Sequence, residues 1–189
     1  HSFRATEAAL ALTANLRRED TVIFLISGGG SALFESPNID AAASASLTAQ
    51  LLASGANIVE MNTVRKRFSK VKGGRFACHC APAQVFSIVL SDIIGDPLDM
   101  IASGPAYPDS SSAADALRIV EQYGLLLTPA MRELLREETP KTLTNVETIV
   151  TGSVCELCNA AAAAAAQLGY RPLVLTDSLD CEAREAGRF

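Results

Sequence analysis

No stretch of the sequence approaches the roughly 18 uninterrupted apolar residues of a membrane-crossing helix, and the start lacks the shape of a signal peptide. A cytoplasmic protein with no membrane partner is expected. Net positive charge is missing too: 16 Lys and Arg stand against 21 Asp and Glu, a formal charge of −5. This argues against general binding to nucleic acid or anionic membranes. Cysteine is too sparse for a disulfide scaffold and odd in number, at five, which fits a reducing compartment. Cys78-His79-Cys80 and Cys155-Glu156-Leu157-Cys158 carry the residue types of a split zinc site or a redox pair. The second, however, opens an alanine-rich helix with no thioredoxin-like unit around it, and free cysteines pack as small apolar residues.

What is present is a core. With 49% hydrophobic residues in 189, the chain fits one domain, or one domain plus part of another. Its centre is Ser27-Gly28-Gly29-Gly30-Ser31, after the apolar run Thr21 to Ile26. A β-branched run of that length reads as a buried parallel strand. The glycines permit positive φ and bring backbone amides close to an anion, the serines add hydroxyls, and a helix from Ser31 would aim its positive end at the same place. A phosphate or a carboxylate would fit. The loop is neither GxGxxG nor GxxxxGK[ST], so it names no nucleotide by itself.

Along the chain, residues 3–18 have helical spacing. Asp40 reads as the N-cap of a helix running to Ser54 and stopped by Gly55. Over 57–72 the periodicity predicts one helix with Arg65, Lys66, Ser69 and Lys72 on its polar face, so that several cations and Asn62 share a surface. A short helix from Arg75 to Cys80 follows Gly73-Gly74. Val85 to Leu90 is a second strand ending in Ser91-Asp92, which an open parallel sheet would place near the glycine loop. The long loop from Ile93 to Ser112 holds Asp96, Asp99 and Asp109, residues typical of turns. Helices are predicted over 112–123 and 129–137, and a third strand over 147–150. A helix over 155–168 should pack its alanines closely on the sheet, and a fourth strand is predicted from Pro172 to Thr176. The fold class is α/β: a mostly parallel, Rossmann-like sheet flanked by helices in three αβα layers. The final residues look like a helix cut short, and His1 begins abruptly.

Taken together, the motifs resemble the class of glycerate kinases whose carboxyl-terminal part is called the MOFRL domain, some of which are labelled hydroxypyruvate reductases. The resemblance rests on Leu25 to Leu33, on Asn62-Thr63-Val64-Arg65-Lys66 with Lys72-Gly73-Gly74-Arg75, and on Ser91-Asp92, Gly95-Asp96 and Ile101-Ala102-Ser103-Gly104-Pro105. Cys181 to Glu185 adds a further match. Two departures stand out: an upstream Gly-Lys-Ala type segment is absent, and Gly152-Ser153-Val154 replaces an expected Gly-Ser-Asn. The resemblance implies that residues 1–189 are the central part of the amino-terminal Rossmann-like domain, without the MOFRL domain.

It also implies ATP-dependent phosphorylation of D-glycerate, most naturally at the 2-hydroxyl, with ATP and Mg²⁺ as cofactors. The small-molecule partners would be glycerate and nucleotide, and a homodimer is left open. Phosphoryl transfer needs cations and positioning, for which Arg65, Lys66, Lys72 and Arg75 are candidates. An arginine, or the Gly28, Gly29 and Gly30 amides, would hold the substrate carboxylate, with Ser27, Ser31, Asn62 and Ser91 nearby. Asp92 would serve as base or, with Asp96, as metal ligand. Two other readings compete. A nicotinamide-dependent reductase needs an acidic residue about 20 positions after its glycines, where Asp40 comes too early and Glu60 too late. A non-catalytic anion-binding module would use the loop alone.

Overall fold

The computed structural model describes residues 2–91 and 93–188. Three parallel strands, β1 (Thr21–Ile26), β2 (Gln84–Leu90) and β3 (Val146–Gly152), form an open sheet in the order β1-β2-β3. Leu25 pairs with Ile88 and Ile88 with Ile149. Parallel neighbours require crossovers, and helices supply them. After α1 (Ser2–Leu12), α2 (Gly30–Leu33), α3 (Ala41–Ser54), α4 (Ile58–Arg67) and α5 (Arg75–Cys80) lie between β1 and β2. A 3₁₀ turn (Ile101–Ser103), α6 (Ala113–Gln122) and α7 (Pro129–Arg136) lie between β2 and β3, and α8 (Val154–Gln167) and the short α9 (Ala183–Ala186) follow. None of the described helices is long and apolar enough to cross a membrane.

The helix starts follow their caps. Asp40 accepts from the Ala43 amide at 2.8 Å, Asn57 and Glu60 cap α4 reciprocally, Ser112 and Asp115 do the same for α6, and Thr128 precedes Pro129 at the start of α7. Two cores result. In one, Leu47 and Leu51 of α3 meet Val64 of α4, Ile119 and Val120 of α6 and Leu135 of α7. In the other, Val22 and Phe24 of β1 and Val85 of β2 meet Phe76 and Ala77 of α5. Phe24, Phe34 and Phe76 stack with centroids 4.7 to 5.4 Å apart, pinning the end of α2 to strand and helix. Such aromatic pairs add roughly 0.5–1.5 kcal/mol each beyond area burial.

Four expectations need correction. The first strand, expected to be fully buried, is covered on one face only, with Ile23 and Leu25 on the other 68% and 72% exposed. The helix expected over 57–72 ends at Arg67, because Ser69 bridges to Pro37 and the Lys70 amide donates to the Ser36 carbonyl at 2.8 Å. Lys72 is therefore not on the helix that carries Lys66. Residues 172–176 form no strand, since they pair with no neighbour among the described residues and Leu173 is 80% exposed. The alanine helix α8 has no fully buried residue.

Candidate functional site

The carboxyl ends of the three strands converge on one crevice. Ser27 and Gly28 follow β1, Leu90 and Ser91 end β2, and Gly152 and Ser153 end β3. All but Ser27 border a cavity of about 590 Å³, whose apolar wall includes Val154 and Leu157 of α8, while Ser27 lines a cavity of about 190 Å³ with Gly28 and Gly30. Ser91 is buried: its amide donates to the Gly152 carbonyl at 2.9 Å and its hydroxyl to the Ile93 carbonyl at 3.2 Å. A second cavity of about 260 Å³ adjoins at Ser153 and is lined by Asp96, Cys155 and Asp177. Asp96 holds a left-handed φ of +51°. Asp92, expected beside Ser91, lies outside the described residues.

The glycine loop is fixed from beneath. Gly29 turns the chain with φ +83°, and α2 is only one turn long, from Gly30 to Leu33. At Gly30 a Cβ would lie 2.7 Å from the Ala102 Cβ, so only glycine lets the loop approach the 101–105 segment. That segment is itself unusual: Ala102, Ser103 and Gly104 are consecutively left-handed, with φ of +51°, +62° and +62°. For the two L-residues this costs about 1–2 kcal/mol each. Amides opposite hold it in place, since Gly73 donates to the Ser103 carbonyl at 3.0 Å and Gly74 to the Gly104 carbonyl at 2.7 Å.

A polar chain joins these parts. The buried Ser103 hydroxyl donates to the Asn62 carbonyl oxygen of α4 at 3.2 Å. It stands 2.5 Å from the Ser31 hydroxyl, which is then the donor in that pair. Lys72 is fully buried, donates to the Ser31 carbonyl and pairs with the Glu35 carboxylate at 3.0 Å. Burial pushes the Lys72 ammonium below its usual pKa and the neighbouring Arg65 and Lys66 push the same way, against the pull of Glu35.

Behind this chain lies a buried ionic cluster rather than the shared surface of cations expected from the periodicity. Lys66, 1% exposed, pairs with Asp109 at 3.0 Å and with Asp99 at 3.6 Å. Asp109 also accepts from the Thr139 hydroxyl at 2.7 Å and the Ser111 amide at 3.0 Å. Burial alone would push the Asp109 carboxyl up, but the Lys66 ammonium and these hydrogen bonds outweigh it and hold it below the ordinary carboxylate value. Arg67, 0% exposed, donates to the Ser111 carbonyl at 2.8 Å and pairs with Glu138 at 3.1 Å. Arg75 donates to the main-chain carbonyls of Lys66 and Ser69 and so braces the chain. Arg65 is half-exposed on the wall of a cavity of about 560 Å³ between α2, α3 and α4, with no ion-pair partner among the described residues.

Of the residues singled out by sequence, Gly28 and Ser91 meet at the crevice, Ser27 lines the cavity beside Gly30, and Ser31, Asn62 and Lys72 meet beneath the loop. Arg75 acts on the backbone and Asp96 borders the adjoining cavity. Ser153, Glu35, Arg67 and Asp109 were not singled out. Pro108 to Ser112 reads locally as a turn, and nothing near Asp109 in sequence signals its distant lysine.

An open parallel sheet with a glycine- and serine-bordered crevice at its carboxyl edge defines an α/β domain, and such crevices are where open α/β sheets bind small molecules. Residues 1–136 match the family described as a domain of unknown function, DUF4147. The chain belongs to that family, the amino-terminal domain of the MOFRL-type glycerate kinases. It is 49% identical over 191 residues to a protein of Thermotoga maritima named D-glycerate 2-kinase, covering 100% of this chain and 46% of that protein. A protein of Agrobacterium vitis with the provisional name of hydroxypyruvate reductase is 41% identical, over 99% of this chain and 44% of its own length. The crystal structure of the glycerate kinase from Thermotoga maritima superposes with a TM-score of 0.90, covering 99% of this chain and 46% of that one. The chain thus spans about half the length of the relatives it matches.

Proposed function

We propose that the protein transfers a phosphoryl group from ATP to D-glycerate, giving 2-phosphoglycerate. The observation that carries this reading is the crevice, where Gly28, the buried Ser91 and the hydroxyl-bearing Ser153 meet at the ends of three parallel strands. An exposed glycine amide and the Ser153 hydroxyl suit the spread charge of a transferred phosphate, while Ser91 shapes the floor. The names of the Thermotoga relatives point to the same substrate. Arg65, half-exposed and without an ion-pair partner among the described residues, is the cation suited to the glycerate carboxylate. Asp96, Ser153 and Asp177 border one cavity with hard oxygen donors, a set that suits Mg²⁺ beside phosphate. Asp96, with Asp92 from the sequence reading, would hold that ion, which would neutralise phosphate charge.

The test is to incubate the protein, as the cell makes it, with D-glycerate, ATP and Mg²⁺ and to follow products by phosphorus NMR. 2-Phosphoglycerate is expected. A parallel arm uses hydroxypyruvate with NADH or NADPH. Cofactor oxidation without glycerate phosphorylation would overturn the proposal in favour of a reductase. Glu60, the acidic residue furthest along in that reading, is already engaged, capping Asn57 and accepting from the Tyr123 hydroxyl at 2.8 Å.

A further inference from the structure

The strained segment beneath the glycine loop has a role that the crevice alone does not explain. Ser103 is 0% exposed, left-handed at φ +62°, and sits where three elements cross. Its hydroxyl touches Ser31 of α2 at 2.5 Å and Asn62 of α4 at 3.2 Å, and its carbonyl accepts from Gly73 at 3.0 Å. A left-handed serine is retained at a place where glycine would be strain-free, so the hydroxyl offsets what the backbone conformation costs. An alanine there would leave the Ser31 hydroxyl and the Asn62 oxygen each without this partner.

We propose that Ser103 is a positioning residue, whose hydroxyl locks the one-turn helix α2 and thereby holds the amides of Gly28 and Gly29 in the geometry that receives phosphate. This rests on the phosphate-binding reading of the crevice. Ser103 acts through Ser31 and touches no substrate. Because α2 is a single turn with no side-chain cap of its own at Gly29, its orientation depends on tertiary contacts, of which the Ser31–Ser103 hydrogen bond joins those made by Lys72, Phe34 and Ala102. Small misplacements of positioning groups can cost on the order of 10²-fold in rate.

The experiment uses Ser103→Ala and Ser103→Gly in the protein as the cell makes it, with two readouts. Hydrogen exchange of the peptide spanning 24–34 should accelerate about tenfold in both variants, while that of 85–90 is unchanged. Under the kinase assay kcat should fall about 10- to 100-fold in both, with KM for D-glycerate changed much less. Ser103→Gly is the decisive variant, because it relieves the left-handed strain that Ser103→Ala keeps and so should melt above Ser103→Ala. Exchange at the parental rate in both variants overturns the proposal whatever the activity. Full kcat in Ser103→Gly overturns it as well, since the hydroxyl would then be dispensable. If the parent protein does not phosphorylate glycerate, the functional reading fails separately, and accelerated exchange of the loop still supports the locking role of Ser103.

Discussion

Replacing Asp109 by Asn tests whether the buried ionic cluster holds the site together. Asp109 is fully buried with Lys66 at 3.0 Å and Arg67 at 3.9 Å. Oδ1 receives Lys66 and both the amide and hydroxyl of Ser111, while Oδ2 receives Thr139. An Asn with its carbonyl oxygen in the Oδ1 position keeps those three contacts, and the Thr139 hydroxyl can rotate to accept from the new amide. The perturbation is therefore mainly the loss of charge. Breaking a buried ion pair by removing one partner costs about 3–5 kcal/mol. Lys66 keeps Asp99 at 3.6 Å, so the lower end applies, about 3 kcal/mol. With a urea slope of about 2 kcal/mol per M for a chain of this size, the unfolding midpoint followed by circular dichroism should fall by about 1.5 M. Lys66→Met added to Asp109→Asn should recover roughly half the loss, since the stranded ammonium goes with it. The sign of the pH effect follows from a depressed carboxyl: its stabilisation is present above 3.8 and is lost as pH falls through the lower folded value. Asp109→Asn should lack that acid limb. A midpoint shift under about 0.5 M, roughly 1 kcal/mol on the same slope, would refute the reasoning.

Gly30→Ala should destabilise by about 1–3 kcal/mol through overpacking, because its Cβ would meet Ala102 at 2.7 Å. Ala102→Gly in the same chain should restore the urea midpoint by removing both the clash and a left-handed alanine. Lys72 binds its proton less tightly when folded than at its usual 10.5, so melting temperature should carry a rising contribution with pH up to 10.5 that Lys72→Met removes. Equal slopes in the two proteins would count against it. Asp92→Asn should lower kcat about 10²- to 10³-fold with KM and melting temperature little changed, whereas a helix-cap role would lower only stability, by about 1 kcal/mol.

The fold was legible where local chemistry decides structure. The apolar β-branched runs became β1 and β2, and the caps at Asp40, Ser112 and Thr128 start helices as expected. Local chemistry failed where tertiary pairing overrides it. The period of residues 57–72 is helical throughout, yet the Asn38 amide donates to the Phe68 carbonyl at 3.0 Å and the chain leaves the helix to meet it. Residues 172–176 have strand composition, but a strand is a relation between two segments.

The same division runs through the site. The glycine loop announces itself because its chemistry is local, whereas the lysines conceal theirs, because Asp109 lies 43 residues beyond Lys66 and no periodicity reports a buried partner. This changes what the lysines can do. Lys66, Arg67 and Lys72 face the carboxylates of Glu35, Asp99, Asp109 and Glu138, so together they offer an incoming phosphate no surplus of positive charge. Their contribution is rigidity, exerted through the Ser31 carbonyl, the 101–105 segment and the start of α5. In the proposed function, attraction of an anion falls to groups whose donors are not spent among the described residues: the amides of the exposed Gly28 and Gly29 and the guanidinium of Arg65. In the phosphoryl transfer proposed above, where catalysis is chiefly positioning and charge stabilisation, the two tasks would fall to a charge-paired, braced interior and a thin polar rim.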